Sequence, residues 1–93
     1  MKTTVDVETT TIGVVGAGSW GTALANLLAV KGFAVDHWVY EAGVKVQMLE
    51  KRENQRFLPG VTLSDNLHPS GDLESVVAGK DLVLVVTLSL IHI

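Results

Sequence analysis

Residues Gly16-Ala17-Gly18-Ser19-Trp20-Gly21 place three glycines in the spacing G-x-G-x-x-G. On its own that spacing is a weak signal, and its flanks give it weight. Before it, Ile12-Gly13-Val14-Val15 is short, apolar and largely β-branched, as expected of a central parallel strand covered on both faces. After it, Thr22 to Lys31 is rich in Ala and Leu, carries Leu24, Leu27, Leu28 and Lys31 at helical spacing, and stops at Gly32, which can close a helix in the left-handed conformation. A strand, a glycine turn and a helix in that order leave few options. Gly16 permits the tight turn, Gly18 keeps side-chain bulk from a phosphate approaching the backbone, and Gly21 lets the helix pack closely on the sheet. The helix N-terminus then offers unpaired N–H groups and a partial positive charge to an anion.

The pattern continues with Phe33 to Val39 as a second strand, broken at Glu41-Ala42-Gly43. Val44 to Arg52 follows as a second helix, with Val44, Met48 and Leu49 on one face. From Glu53 to Ser70 the signal weakens. Pro59-Gly60 marks a turn, and either Val61-Thr62-Leu63 or Leu67-His68 supplies a short strand. Asp72 to Gly79 reads as a capped short helix ending at glycine, and Leu82 to Val86 as a fully buried strand. Alternating strands and helices predict a parallel sheet with right-handed crossovers. The expected fold class is therefore α/β, a Rossmann-type doubly wound parallel sheet, incomplete, holding about its first four strands in the order 3-2-1-4.

A dinucleotide is the expected ligand, with its pyrophosphate on Gly16, Gly18 and Gly21; the alternative is a glycine-rich turn with no ligand, although a mere turn needs only one glycine. Glu41 lies 20 positions after Gly21, where a carboxylate accepts hydrogen bonds from the adenosine ribose and repels a 2′-phosphate. Its plainer reading is a solvated acid at a helix start. Tyr40 either covers an adenine face or caps the core. Asp36, in mid-strand, is the weaker acid candidate. No arginine lies between Asp36 and Gly43 to receive a 2′-phosphate, which favours NAD, although Lys45 is within reach for NADP. Lys45, Lys51, Arg52 and Arg56 read as a solvated face, and Asn54, Gln55 and Arg56 as a polar loop able to face a substrate. His37, His68 and His92 share no metal-like spacing and read as structural.

Composition narrows the partners. Seven basic and ten acidic residues give a net charge of −3, with no lysine or arginine block to track a nucleic acid backbone. Met1 to Thr11 lacks the apolar run of a signal peptide. The apolar stretch Leu82 to Ile93 is 12 residues long, against about 20 for a membrane span. A cytoplasmic protein with neither nucleic acid partner nor membrane span is expected, and zero cysteine fits a reducing compartment.

Several strings then become recognisable together: IGVVGAGSWGTALANLLAVKG, HWVYE, ENQRFLPGVTLSDNL and DLESVVAGKDLVLVV. Their combination resembles the N-terminal part of NAD(P)-dependent glycerol-3-phosphate dehydrogenase. The specific features are Gly-Ser-Trp-Gly-Thr-Ala inside the glycine motif, a Trp two residues before an aromatic–acid pair, and Asn-x-x-Phe-Leu-Pro-Gly after the second helix. The resemblance covers about Thr11 to Thr87. It implies hydride transfer between sn-glycerol 3-phosphate, a small phosphorylated substrate, and dihydroxyacetone phosphate. That reaction supplies glycerophospholipid backbones. It further implies Gly16 to Gly21 on the pyrophosphate, Ser19 and Trp20 as direct cofactor neighbours, and Tyr40 at the adenosine end. A homodimer stays open for the full-length enzyme. The family's catalytic lysines belong to later segments, so no catalytic residue is assigned here.

One departure stands out. After LVLVV the family continues with a Pro-Ser-His-type or Pro-Ser-Gln-type turn, whereas this chain reads Thr87-Leu88-Ser89-Leu90-Ile91-His92-Ile93. The final LSLIHI resembles the translation of a sequencing-library adapter, the alternative being a natural strand extension or a frameshift. The expected organisation is a polar leader over 1–11, the first part of an NAD(P)-binding domain over 12–87, and 88–93 outside the fold, with the C-terminal substrate domain absent. Such a piece is expected to hold the adenosine side of the cofactor site, to be catalytically inert and to bind cofactor weakly at best. Two other functions remain: a related dehydrogenase of small hydroxy acids, and a non-enzymatic NAD-sensing module.

Overall fold

The computed structural model describes residues 9–16 and 18–86. The elements run β1 (Thr11–Val15), α1 (Ser19–Val30), β2 (Ala34–Trp38), α2 (Ala42–Lys51), β3 (Leu67–Ser70), α3 (Leu73–Val77) and β4 (Leu82–Val85). All strand pairs are parallel, in the order β3-β2-β1-β4. The Rossmann-type α/β order expected from the sequence is thus the observed one, and the uncertain third strand is Leu67–Ser70 rather than the run at Val61. Pro69 lies within β3 and cannot donate to a ladder, which an edge strand tolerates.

The registers stack apolar rows across the sheet: Ile12 beside Val35 and Leu82, and Val35 beside Leu67. The core forms where α1 and α2 cover this face, from Ile12, Val14, Ala25, Ala29, Val35, Val39, Val44, Met48, Leu63 and Leu67. Each fully buried large side chain in it contributes about 1.5–3 kcal/mol by leaving water. The opposite face carries α3, and the approach there is closest at Gly13, where a Cβ would collide with the Val76 carbonyl.

Helix α1 starts at Ser19, three residues before the apolar run, because the glycine turn itself leads into the first helical residues. Its sheet-facing side is made of Gly21, Thr22, Ala25, Asn26 and Ala29, while Leu27 turns outward. Small residues let the helix axis come near the strands, which larger leucines would prevent. The helix ends as expected at Gly32, whose φ is 110°. The Gly32 N–H reaches the Ala29 carbonyl at 3.0 Å and the Phe33 N–H the Leu28 carbonyl at 3.2 Å, the two bonds of a Schellman closure.

Two expectations need correction. Strand β4 is not fully buried: Leu82 is 47% and Val85 65% exposed. It is the last described strand and lies at the sheet edge opposite β3, with Leu84 packed against the core and Leu82 and Val85 open to solvent. Arg52 does not belong to a solvated face. It closes α2 in the left-handed region, with φ 52°, and its guanidinium donates to the Ser64 carbonyl and, at 2.8 Å, to the Leu67 carbonyl. The cation is spent holding the α2–β3 connection against the helix. Asp72 behaves as read, its carboxylate accepting the Glu74 N–H at 3.1 Å to cap α3. Residues 87–93, on which the adapter expectation falls, lie outside the described residues.

Candidate functional site

With β2 and β3 on one side of β1 and β4 on the other, the topology switches between β1 and β4. A crevice at the carboxyl ends of those strands is where open α/β sheets bind ligands. The glycine turn sits there. Gly16 has φ 119°, a value L side chains rarely adopt, and a Cβ on it would strike the Val86 carbonyl just past β4. A Cβ on Gly21 would strike the Gly16 carbonyl, so the third glycine seats α1 against the turn. Gly18 differs from both, with φ −66° and nothing within 4 Å of a Cβ built on it. The absence of a side chain there leaves open space outside the protein, as close approach by a ligand requires. Gly18 is also the N-cap of α1, where no side chain caps the helix and no acid occupies its first turn. An anion therefore meets no built-in competitor for the helix N-terminus.

The turn is held from behind by His37, which is fully buried between the registers of Val14 and Pro69. Its Nε2 lies 2.6 Å from the Gly16 carbonyl oxygen. Because that oxygen only accepts, the proton must be on Nε2, leaving Nδ1 without a partner among the described residues. Burial pushes the imidazole below its ordinary pKa, with the bond to Gly16 opposing the shift. The ring is thus a neutral donor fixing the glycine carbonyl. The sequence marked His37 as structural, which agrees, but no spacing revealed its partner.

The loop after α2 closes over the first turn of α1. The Ser19 hydroxyl donates to the Phe57 carbonyl at 2.7 Å, and the Asn54 amide donates to the Thr22 hydroxyl at 2.9 Å. Asn54 is fully buried, so it does not face a substrate as the polar-loop reading had it. Gln55 pairs with Gln47 of α2 through two hydrogen bonds of 3.1 and 2.8 Å. The third residue of that loop, Arg56, carries its guanidinium to Glu41, Nη1 to Oε2 at 2.8 Å. The two line one cleft with Gly43, Val44 and Gln47. Arg56 thus lies beside the acid where the sequence offered no arginine. Only the path of the loop reveals it.

Trp20 and Tyr40 stand out of the surface, 74% and 81% exposed, and Tyr40 tilts against Trp38 with ring centroids 5.7 Å apart. Tyr40 therefore does not cap the core. Asp36 lies in the middle of β2, short of the strand's carboxyl end, and is paired with Lys80 at 3.0 Å. Among the described residues no group of three His, Asp or Glu side chains could hold a metal ion, and no helix is long and apolar enough to cross a membrane.

A parallel sheet ordered 3-2-1-4, with a glycine-lined turn and an uncapped helix at its switch point, defines a Rossmann-type dinucleotide-binding fold. Within that class, the family described as NAD-dependent glycerol-3-phosphate dehydrogenase N-terminus matches residues 11–92, and the chain belongs to it. The glycerol-3-phosphate dehydrogenase [NAD(P)+] of Syntrophobacter fumaroxidans is 48% identical over 81 residues, which are 87% of this chain and 24% of that protein. The enzyme of the same name from Geobacter sulfurreducens is 50% identical over 78 residues, 84% of this chain and 23% of its own length. The crystal structure of glycerol-3-phosphate dehydrogenase from Coxiella burnetii superposes with a TM-score of 0.76 at 38% identity, over 82% of this chain and 23% of that one. The chain thus spans about a quarter of the length of the curated relatives it matches.

Proposed function

We propose that this chain forms the pyrophosphate- and adenosine-binding part of an NAD(P)-dependent glycerol-3-phosphate dehydrogenase. The whole enzyme would interconvert sn-glycerol 3-phosphate and dihydroxyacetone phosphate. The observation that carries the reading is Gly18, an N-cap with open space where a side chain would be and no side-chain competitor for the helix N-terminus. Gly16 and Gly21 shape the turn, and His37 holds its carbonyl. Glu41 and Tyr40 follow β2 at the edge where adenosine would lie. The exposed rings of Trp20 and Tyr40 offer faces for stacking.

When bound, the nicotinamide cofactor supplies the hydride acceptor or donor. The residues described here orient its far end: backbone N–H groups of α1 neutralise the pyrophosphate, and Glu41 accepts from a ribose hydroxyl. We assign no catalytic residue in this chain and expect no oxidation of glycerol 3-phosphate from it alone. Titration of NADH into the purified 93-residue chain, followed by calorimetry, tests the reading. Saturable binding that weakens when Gly18 carries a side chain supports it, and no heat of binding up to millimolar NADH overturns it.

A further inference from the structure

The pair Arg56–Glu41 does more than decorate the cleft beside the glycine turn. Glu41 sits where a dinucleotide fold reads the adenosine 2′ position, and Arg56 engages it through Oε2, leaving Oε1 as the oxygen that can accept a 2′-hydroxyl. Arg56 is carried to this place from a loop 15 residues away, and it is held there on both sides. Its neighbour Phe57 is tied to the glycine loop through the Ser19 hydroxyl. Its other neighbour Gln55 is tied to α2 through Gln47. The guanidinium also lies over the Phe57 ring, 5.1 Å from its centroid, in a cation–π contact that restrains it.

We infer that Arg56 and Glu41 together set the choice between NAD and NADP, an inference that rests on the dinucleotide reading above. With a 2′-hydroxyl, Glu41 accepts the hydrogen bond while Arg56 neutralises the carboxylate. With a 2′-phosphate, the carboxylate repels the added charge and Arg56 exchanges Glu41 for the phosphate oxygens. The same planar fork of donors fits either oxyanion. The exchange is easy because both side chains are well solvated, 61% and 43% exposed, and exposed ion pairs hold each other weakly. A site with an acid alone would reject NADPH, and one with an arginine alone would favour it. This one carries both in contact.

The test measures NADH and NADPH affinities of the 93-residue chain by calorimetry, with 5′-AMP and adenosine 2′,5′-bisphosphate as probes of the adenosine end alone. Arg56→Ala is expected to weaken NADPH and the bisphosphate about tenfold, the scale of one partly solvated charge-assisted contact, with NADH and 5′-AMP changed less than about twofold. Arg56→Lys should recover part of the loss, and Glu41→Gln should shift the ratio toward NADPH. Equal changes for both cofactors in Arg56→Ala, or none, overturn the inference while leaving dinucleotide binding intact. Failure of the unaltered chain to bind either dinucleotide overturns the dinucleotide reading and this inference with it. Arg56 is exposed and the Glu41 side chain, half-buried, makes no cap hydrogen bond to α2, and circular dichroism of each variant confirms folding before binding is compared.

Discussion

The buried amide of Asn54 donates to the Thr22 hydroxyl at 2.9 Å, across 32 residues of sequence. Its Oδ1 accepts the Phe57 N–H at 3.1 Å. One side chain thereby fastens the loop that carries Arg56 and Phe57 to the first turn of the cofactor helix. Asn54→Ala removes a partner from two groups at once, and the loss is expected to cost about 1–3 kcal/mol. Urea denaturation measures it. Gln55→Ala, one position on and exposed, should stay within about 0.5 kcal/mol.

The glycines of the motif should separate by mutation into those that build the turn and the one that admits the ligand. Gly16→Ala meets both an unfavourable φ of 119° and the Val86 carbonyl, and should leave the chain largely unfolded by circular dichroism. Gly18→Ala has room and an ordinary φ, and should still fold, at a cost of about 0.5–1 kcal/mol because alanine is a poorer N-cap than glycine. Its affinity for NADH should nevertheless drop at least about tenfold, because the methyl group occupies the space where phosphate approaches.

His37 makes stability depend on pH. In the folded protein its pKa is lowered by burial, so between that value and about 6.5, the unfolded imidazole's value, the unfolded state holds more protons. Stability is therefore expected to fall as pH drops below about 6.5, and to be fully present near pH 7.5. Protonation would also place a second N–H, on Nδ1, where the described residues provide no acceptor. Comparing urea midpoints from pH 7.5 to 5 for the chain and for His37→Gln isolates the effect: the variant should show the shallower decline. Parallel declines would remove His37 as the cause.

Helix α3 has only five residues, too few to stand without its ends satisfied. Asp72 supplies the N-terminal cap through the Glu74 N–H. Asp72→Ala should cost about 1 kcal/mol, and Asp72→Asn less than half of that, since the amide oxygen can still accept. Thermal melts of the three proteins make the comparison.

What was legible in the sequence is what depends on near neighbours. The glycine spacing, the left-handed stop at Gly32 and the cap at Asp72 are each decided within about five residues, and the β-branched and Ala/Leu runs declared the order of strands and helices. That order, through the rule that parallel crossovers are right-handed, was enough to anticipate the switch point between β1 and β4. The contacts that furnish the site are of another kind. Arg56 meets Glu41, Asn54 meets Thr22 and His37 meets Gly16 across 15, 32 and 21 residues, distances over which no periodicity carries information. Exposure of β4 is likewise a matter of position, because LVLV reads the same in the middle of a sheet as at its edge. The chain by itself determined a dinucleotide-type turn in a parallel α/β unit. Only tertiary structure brought an arginine to the acid beside that turn, because loop closure, not local preference, decides which distant charges become neighbours.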